Sequence, residues 1–303
     1  MQKHTLPSHM SEDAVTNSSS KPPGLMRRIV RSPLVRIGAL GFLLLMMMGL
    51  NTDVMTSYAD EPFKSVKHIV ALAIAGFAVY RAYAFFIEQR SVSELALQGM
   101  GRELGIGLLI GAGLYAACEL FLMALGIYRI TGVNSWIFMV PAIAMALSSG
   151  IFEELLFRGV LFRSVESWFG SWAALVVSSL VFGLTHLINP EATLEGALFI
   201  AVEAGVLLAA AYMLTRRLWL SIGFHVAWNY TQSAIFSSIV SGNEAAQGLI
   251  RSTVNGPDFL TGGKFGVESS VFSLLLCTTT GVVMVVMAVK RGKIVPPIWK
   301  RSA

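Results

Sequence analysis

Charged residues and cysteines are both scarce in this chain of 303 residues. Only 14% of the residues are charged, whereas a soluble domain carries about 25%. The two cysteines, Cys118 and Cys277, are too few for a disulfide scaffold, and no Cys-x-x-Cys motif occurs. Both lie in apolar segments, where we expect them to pack as small apolar groups.

Apolar residues make up 54% of the chain and form several runs near the length that crosses a bilayer. This pattern predicts an all-α fold, a polytopic transmembrane helical bundle with about eight spanning helices. The expected spans are about 34–50, 66–87, 104–126, 136–164, 171–188, 194–214, 218–240 and 267–289.

The basic residues cluster at the ends of these spans, which is the positive-inside pattern of a membrane protein. The net charge of +5 therefore does not indicate nucleic-acid binding, and the bilayer itself is the first expected partner. An even number of spans places both termini on the basic, cytoplasmic side, in the cytoplasmic (inner) membrane if the protein is bacterial. The connections 51–62 and 241–265 then lie on the opposite face. The clusters are Arg27, Arg28, Arg31 and Arg36; Arg216 and Arg217; and Lys290, Arg291, Lys293, Lys300 and Arg301.

Two adjacent glutamates interrupt the apolar run that begins near Trp136. A charge at the bilayer centre costs about 2.5–3.5 kcal/mol on insertion scales, so a use for it is expected. Glu154 and Arg158 are four residues apart and can pair on one helix face. Glu153 points about 100° away, so we expect it to face a cavity as a base while Arg158 holds Glu154 ionised. The alternative is an ion network at the cytoplasmic end of the helix.

Each of two later spans adds one histidine. His186 follows Phe182 by one turn, and His225 precedes Asn229 by one turn, which aims two donors at one point as an oxyanion requires. Both histidines also suit polar contacts between helices. His186 lies near the end of its span, so a tilted helix or a water-filled cavity is needed to bring it to Glu153.

The three motifs, in this order on separate helices, resemble the CPBP family of intramembrane proteases. That family includes type II CAAX prenyl endopeptidases and bacterial relatives linked to bacteriocin self-immunity. The resemblance covers residues 100–240 approximately. The matching residues are Glu153, Glu154 and Arg158 in Glu-Glu-x-x-x-Arg, Phe182 and His186 in Phe-x-x-x-His, and His225 and Asn229 in His-x-x-x-Asn.

The resemblance implies hydrolysis of a peptide bond in or near the bilayer, in a membrane-associated or lipidated peptide or protein. Glu153 and His186 would activate water, and His225 and Asn229 would stabilise the oxyanion. Glu154, Arg158 and Phe182 would support them. Composition and the expected spans predict a disordered cytoplasmic tail (1–24), a two-span region (25–100), and a final part with an extramembrane connection, the last span and a basic tail (241–303); the resemblance makes residues 101–240 the protease core.

Several alternatives remain open from the residues alone. A zinc site of Glu153, His186 and His225 uses the same side chains, but no His-Glu-x-x-His occurs and no cofactor is favoured. A Ser–His dyad of Ser221 and His225 is possible by spacing. Outside protease chemistry, buried Glu and His also build proton relays in transporters, and a non-catalytic scaffold or immunity protein would keep the same fold.

Overall fold

The fold consists of long helices and one two-stranded ribbon, and the computed structural model describes residues 25–244 and 246–301. The tail expected over 1–24 lies outside the described residues. The long helices are α1 (Pro33–Ser57), α2 (Pro62–Glu88), α3 (Met100–Ala124), α4 (136–169), α5 (171–188), α6 (Leu194–Thr215), α7 (219–235) and α8 (Val271–Lys290). The strands are β1 (Tyr128–Val133) and β2 (Ile250–Val254), and short helices cover Leu25–Val30, Ser93–Leu95, Asp258–Thr261, Gly263–Phe265, Val267–Ser269 and Ile298–Lys300.

Six helices of the described chain are long and apolar enough to cross a membrane. One of them, Trp136–Ile188, has 53 residues and breaks at Gly170 (φ 81°, ψ 174°), so it contains both α4 and α5. The span expected over 218–240 is shorter than predicted, because α7 has 12 α-helical residues and 5 π-helical residues and ends at Ile235. The transmembrane helical bundle is confirmed, and the count of eight is approximate.

Helix α6 is the most buried of the candidate spans, and the outer helices present apolar side chains outward. In the apolar window of α6, 67% of the residues are buried, against 39% or less in each of the other five candidate spans. Leu109, Leu275 and Ile74 are 60% exposed or more on the outer helices. An apolar outer surface around a buried central helix is the arrangement of an integral membrane protein.

The connection expected over 51–62 is shorter than predicted, because α1 continues to Ser57. The connection 241–265 is partly ordered, because β2 pairs antiparallel with β1 in the α3–α4 connection. The ribbon has an irregularity between Ile130 and Gly132. It holds the ends of α3 and α7 at the same face of the bundle.

Three glycines allow α3 and α7 to pack with their backbones in contact. A Cβ atom on Gly107 would lie 2.3 Å from the Leu220 carbonyl oxygen, and one on Gly111 would lie 2.3 Å from that of Phe224. A Cβ on Gly223 would lie 2.4 Å from the Leu104 carbonyl oxygen. Small residues of this kind allow close approach of membrane helices, and here they fix the helix that carries His225.

Ion pairs of the buried Glu94 anchor the C-terminal part of α4. Glu94, between α2 and α3, contacts Arg163 of α4 (3.1 Å), Arg90 (2.6 Å) and the Tyr80 hydroxyl (2.7 Å), which also donates to the Gly159 carbonyl (2.9 Å). Burial raises the pKa of Glu94, but Arg163, Arg90 and Tyr80 together outweigh it and leave the pKa below its usual value. Its stabilising contribution is thus present at neutral pH and is lost as the pH falls through that lowered pKa.

Gly111→Ala is expected to lower the thermal unfolding midpoint in detergent, because the added methyl group must push α7 away. Overpacking of this kind costs about 1–3 kcal/mol. Gly113→Ala is the matched control, since a Cβ at Gly113 meets nothing within 4 Å. Equal midpoints for the two variants would contradict the packing described for α3 and α7.

Candidate functional site

The site is built where α4 crosses α7. A Cβ atom on Gly150 would lie 2.5 Å from Val226 Cγ2 and 2.9 Å from the Val226 backbone nitrogen, so the crossing depends on a glycine. Beside it, Asn229 Nδ2 donates to Ser149 Oγ (2.8 Å). The close approach of the two helices brings polar groups of both into direct contact within the membrane region.

Glu154 and Arg158 form a fully buried ion pair at 2.8 Å (Oε1 to Nη1). Arg158 Nη2 also donates to the carbonyl oxygens of Gly205 (3.1 Å) and Ala204 (3.4 Å), in a π-helical turn of α6. Its guanidinium lies 4.6 Å from the centre of the Phe182 ring. Arg158 therefore links α4 to α5 and α6, in addition to neutralising Glu154.

His225 lies between the two glutamates. Its Nδ1 is 3.1 Å from Glu154 Oε1, and its Nε2 is 3.8 Å from Glu153 Oε2. Because a carboxylate accepts, Nδ1 carries the hydrogen in the contact with Glu154. Glu154 thus orients the His225 ring and leaves Nε2 on the side of Glu153.

Glu153 differs from Glu154 in its surroundings. Its side chain is 16% exposed, while that of Glu154 is fully buried. Glu153 Oε2 is inaccessible to bulk solvent and has no hydrogen-bond partner among the described residues. A buried acceptor of this kind is normally satisfied, so Glu153 Oε2 is available to bind water or a substrate.

His186 begins a short 3₁₀ turn at the end of α5. Its Nδ1 is 2.8 Å from the Phe182 carbonyl oxygen. A carbonyl only accepts, so Nδ1 carries the hydrogen and Nε2 of the neutral ring keeps its lone pair. The ring packs against Phe182 (centroids 4.9 Å apart), which also contacts Phe157 (5.0 Å) and His225 (6.0 Å).

A cavity of about 490 Å³ brings the separate residues together. Glu153, His186, His225 and Asn229 all line it. The sequence places Glu153 and His186 at different depths in the membrane, and both residues line this one cavity. Phe182 lines it too, whereas Glu154 and Arg158 lie behind its wall.

Other cavity residues are not among the sequence-predicted ones. Ser149 lies one turn before Glu153, a spacing that the sequence displays. Glu268, Ser241 and Asn189 come from connections whose position depends on tertiary contacts, so no pattern in the chain indicates them. One wall belongs to α1, outside the region of family resemblance, and consists of Ile37, Gly41, Leu45 and Met48.

Two alternative chemistries can be compared with this geometry. Ser221 Oγ donates to the Leu218 carbonyl oxygen (3.0 Å) and does not line the cavity, so the Ser–His dyad gains no support. Glu153, His186 and His225 are suitable zinc ligands in type. Within the described residues, however, no three His, Cys, Asp or Glu side chains are grouped closely enough to hold a metal ion.

Residues 134–231 match a protein-family model described as "Type II CAAX prenyl endopeptidase Rce1-like". All seven motif residues lie inside this range. These residues form a CPBP-family domain. Neither a curated protein nor a solved structure matches the chain. The CPBP-family domain covers most of α4 to α7, and α1 to α3 and α8 are packed around it.

Arg158→Met is expected to destabilise the fold strongly, because it leaves the Glu154 carboxylate buried without its cation. Breaking a buried pair in this way costs about 3–5 kcal/mol. The measurement is the thermal unfolding midpoint in detergent, with Arg129→Met as the control, because Arg129 is exposed and its side chain bonds, among the described residues, only to the Gly126 carbonyl. A midpoint for Arg158→Met equal to that of the control would show that the pair is not structural.

Proposed function

We propose that the protein is an intramembrane endopeptidase that uses a glutamate to activate water. The proposal rests on Glu153, which lines one cavity with His186, His225 and Asn229 and whose Oε2 accepts no hydrogen bond from the described residues. A free acceptor beside two imidazoles and an amide is the set of groups that general-base hydrolysis requires. The CPBP-family domain supports protease activity in general.

In this mechanism Glu153 and His186 bind and activate the water. A water in the cavity donates one hydrogen to Glu153 Oε2 and the other to the free lone pair of His186 Nε2. Glu153 then removes a proton as the water oxygen attacks the scissile carbonyl carbon. A positioned general base of this kind contributes about 10²–10⁴-fold to the rate.

In this mechanism Asn229 and His225 stabilise the oxyanion. The Asn229 amide has two N–H donors, and one of them is used by Ser149 Oγ, which leaves the second for the oxyanion. His225 Nε2 donates when its ring carries both protons, with Nδ1 held by Glu154 Oε1 (3.1 Å). Loss of one oxyanion donor costs about 2.7–4 kcal/mol in other enzymes.

The proton that Glu153 takes from water returns to the leaving nitrogen. The carbon–nitrogen bond of the tetrahedral intermediate then breaks to give a carboxylic acid and an amine, and the acid passes its proton to the amine, so the products leave as a carboxylate and an ammonium group. Glu153 ends in its starting ionisation state. No step needs a metal ion.

The proposed substrate is a membrane-associated or lipidated peptide or protein. The cavity walls are mainly apolar side chains from α1 and α4 to α7, which suit a chain segment carried in the bilayer. We propose that both termini face the cytoplasm, since the basic clusters flank the spans on that side. In a bacterium the membrane would be the inner one.

Glu153→Gln is expected to reduce cleavage by at least about 10²-fold, because the amide cannot take a proton from water. The assay uses purified protein in liposomes with a panel of membrane-anchored and lipidated peptides. His186→Ala is expected to show a similar loss. Glu195→Gln is the control, because Glu195 is exposed in the first turn of α6.

Each reaction is run with and without a chelator. Cleavage that resists the chelator supports the glutamate mechanism, and cleavage that the chelator removes and zinc restores supports the metal version. Equal cleavage by wild type and Glu153→Gln would overturn the proposal. A phenotype in cells that survives Glu153→Gln would instead favour a scaffold.

A further inference from the structure

Glu268 is buried at the cavity wall on the short helix Val267–Ser269, outside the residues that match the family. It is 3% exposed, and both of its oxygens accept hydrogen bonds. Oε1 accepts from Trp228 Nε1 (3.0 Å), and Oε2 accepts from the Ser241 backbone N–H (2.6 Å) and Ser241 Oγ (2.8 Å). A carboxylate is needed for this set, because each oxygen faces a donor.

Residues 239–243 form a strap along the cavity, to which Val240, Ser241 and Asn243 contribute lining side chains. Ser241 has a left-handed backbone (φ 49°), an uncommon conformation for a residue with a side chain. Its N–H and hydroxyl are both held by Glu268. The Glu268 carboxylate therefore fixes the strap in a conformation that the chain does not favour by itself.

The strap also contacts the end of α5, which carries His186. Asn189 Nδ2 donates to the Ser241 carbonyl oxygen (2.7 Å), and the Glu191 N–H donates to that of Gly242 (2.9 Å). Asn189 is three residues beyond His186. The strap therefore holds the α5 end, and Glu268 holds the strap together with the Phe265 carbonyl, which accepts from the Gly242 N–H (2.8 Å).

The other oxygen of Glu268 reaches α7. Trp228 is the neighbour of Asn229 and lies one turn from His225. Its ring is packed against Phe224 (5.6 Å) and Tyr115 (5.1 Å), so the bond from its N–H to Glu268 holds a well-packed side chain. The Glu268 carboxylate therefore connects α7, which carries His225 and Asn229, with the end of α5, which carries His186.

We propose that Glu268 is a positioning residue of the proteolytic site, which sets the spacing of His186 from His225 and Asn229. This inference rests on the proposed function. Glutamine at this position can accept from only one side, because its amide nitrogen must face a donor on the other. Small displacements of catalytic groups reduce the chemical step by up to about 10²-fold.

The test compares kcat and KM of peptide cleavage in liposomes for wild type, Glu268→Gln, Trp228→Phe and the double variant. We expect Glu268→Gln and Trp228→Phe each to lower kcat by about tenfold or more with little change in KM. The double variant should be no slower than the slower single variant, because both changes break the same connection. Glu191→Gln is the matched control, since its exposed carboxylate pairs with exposed Lys264 (3.3 Å) near the same strap.

Wild-type kcat in Glu268→Gln would overturn the inference, as would losses that multiply in the double variant. If Glu268→Gln does not fold, kcat is measured for Glu268→Asp and Trp228→Phe instead. Glu268→Asp keeps a carboxylate at this position, and Trp228→Phe keeps the contacts of Glu268 with Ser241. The kcat of Glu268→Asp should then be higher than that of Glu268→Ala. Equal kcat values for these two variants would count against a positioning role. Undiminished cleavage by Glu153→Gln would instead mean that the proposed function has failed.

Discussion

The buried ion pair of Glu154 and Arg158 is the interaction on which the site depends. Charges in a bilayer are costly, and this pair lies fully buried in a bundle whose outer surface is apolar. The pair is held by carbonyl groups of α6 and by the ring of Phe182, so its geometry also sets the helix spacing. His225 contacts the same Glu154 oxygen. The ion pair thereby also orients the His225 ring, to which we assign a role in the proposed mechanism.

The groups assigned to chemistry differ from their supports in burial and in bonding. Glu154 is fully buried, ion-paired through Oε1 and absent from the cavity wall, whereas Glu153 lines the cavity; the Oε2 atoms of both lack a hydrogen-bond partner among the described residues. His186 and His225 each have Nδ1 in contact with an acceptor, which leaves Nε2 for other work. His186 and His225 are thus each held at Nδ1, and Asn229 is held at Nδ2. Preorganisation of this kind is the main source of catalytic power where charge develops in a water-poor site.

Sequence periodicity predicts the bundle because apolar length is a local property, and the spacing of Glu154 and Arg158 predicts their pairing for the same reason. The contact of Glu154 with His225 is not predictable in this way, since it depends on a helix crossing at Gly150 between residues 71 positions apart. The ribbon joins β1 to a strand more than 100 residues later. No sequence motif marks Glu268 or the α1 residues of the cavity wall, because tertiary packing alone brings them to the cavity.

We assign different roles to the adjacent glutamates, Glu153 in the chemistry and Glu154 in the fold, and a pair of substitutions distinguishes these roles. Glu153→Gln and Glu154→Gln change the same atoms in neighbouring residues, so their thermal unfolding midpoints and cleavage rates can be compared in one preparation. We expect a wild-type midpoint without cleavage for Glu153→Gln, and a clearly lowered midpoint for Glu154→Gln, because Arg158 loses its buried counter-ion. A lowered midpoint for Glu153→Gln with retained cleavage, beside a wild-type midpoint for Glu154→Gln, would contradict these roles.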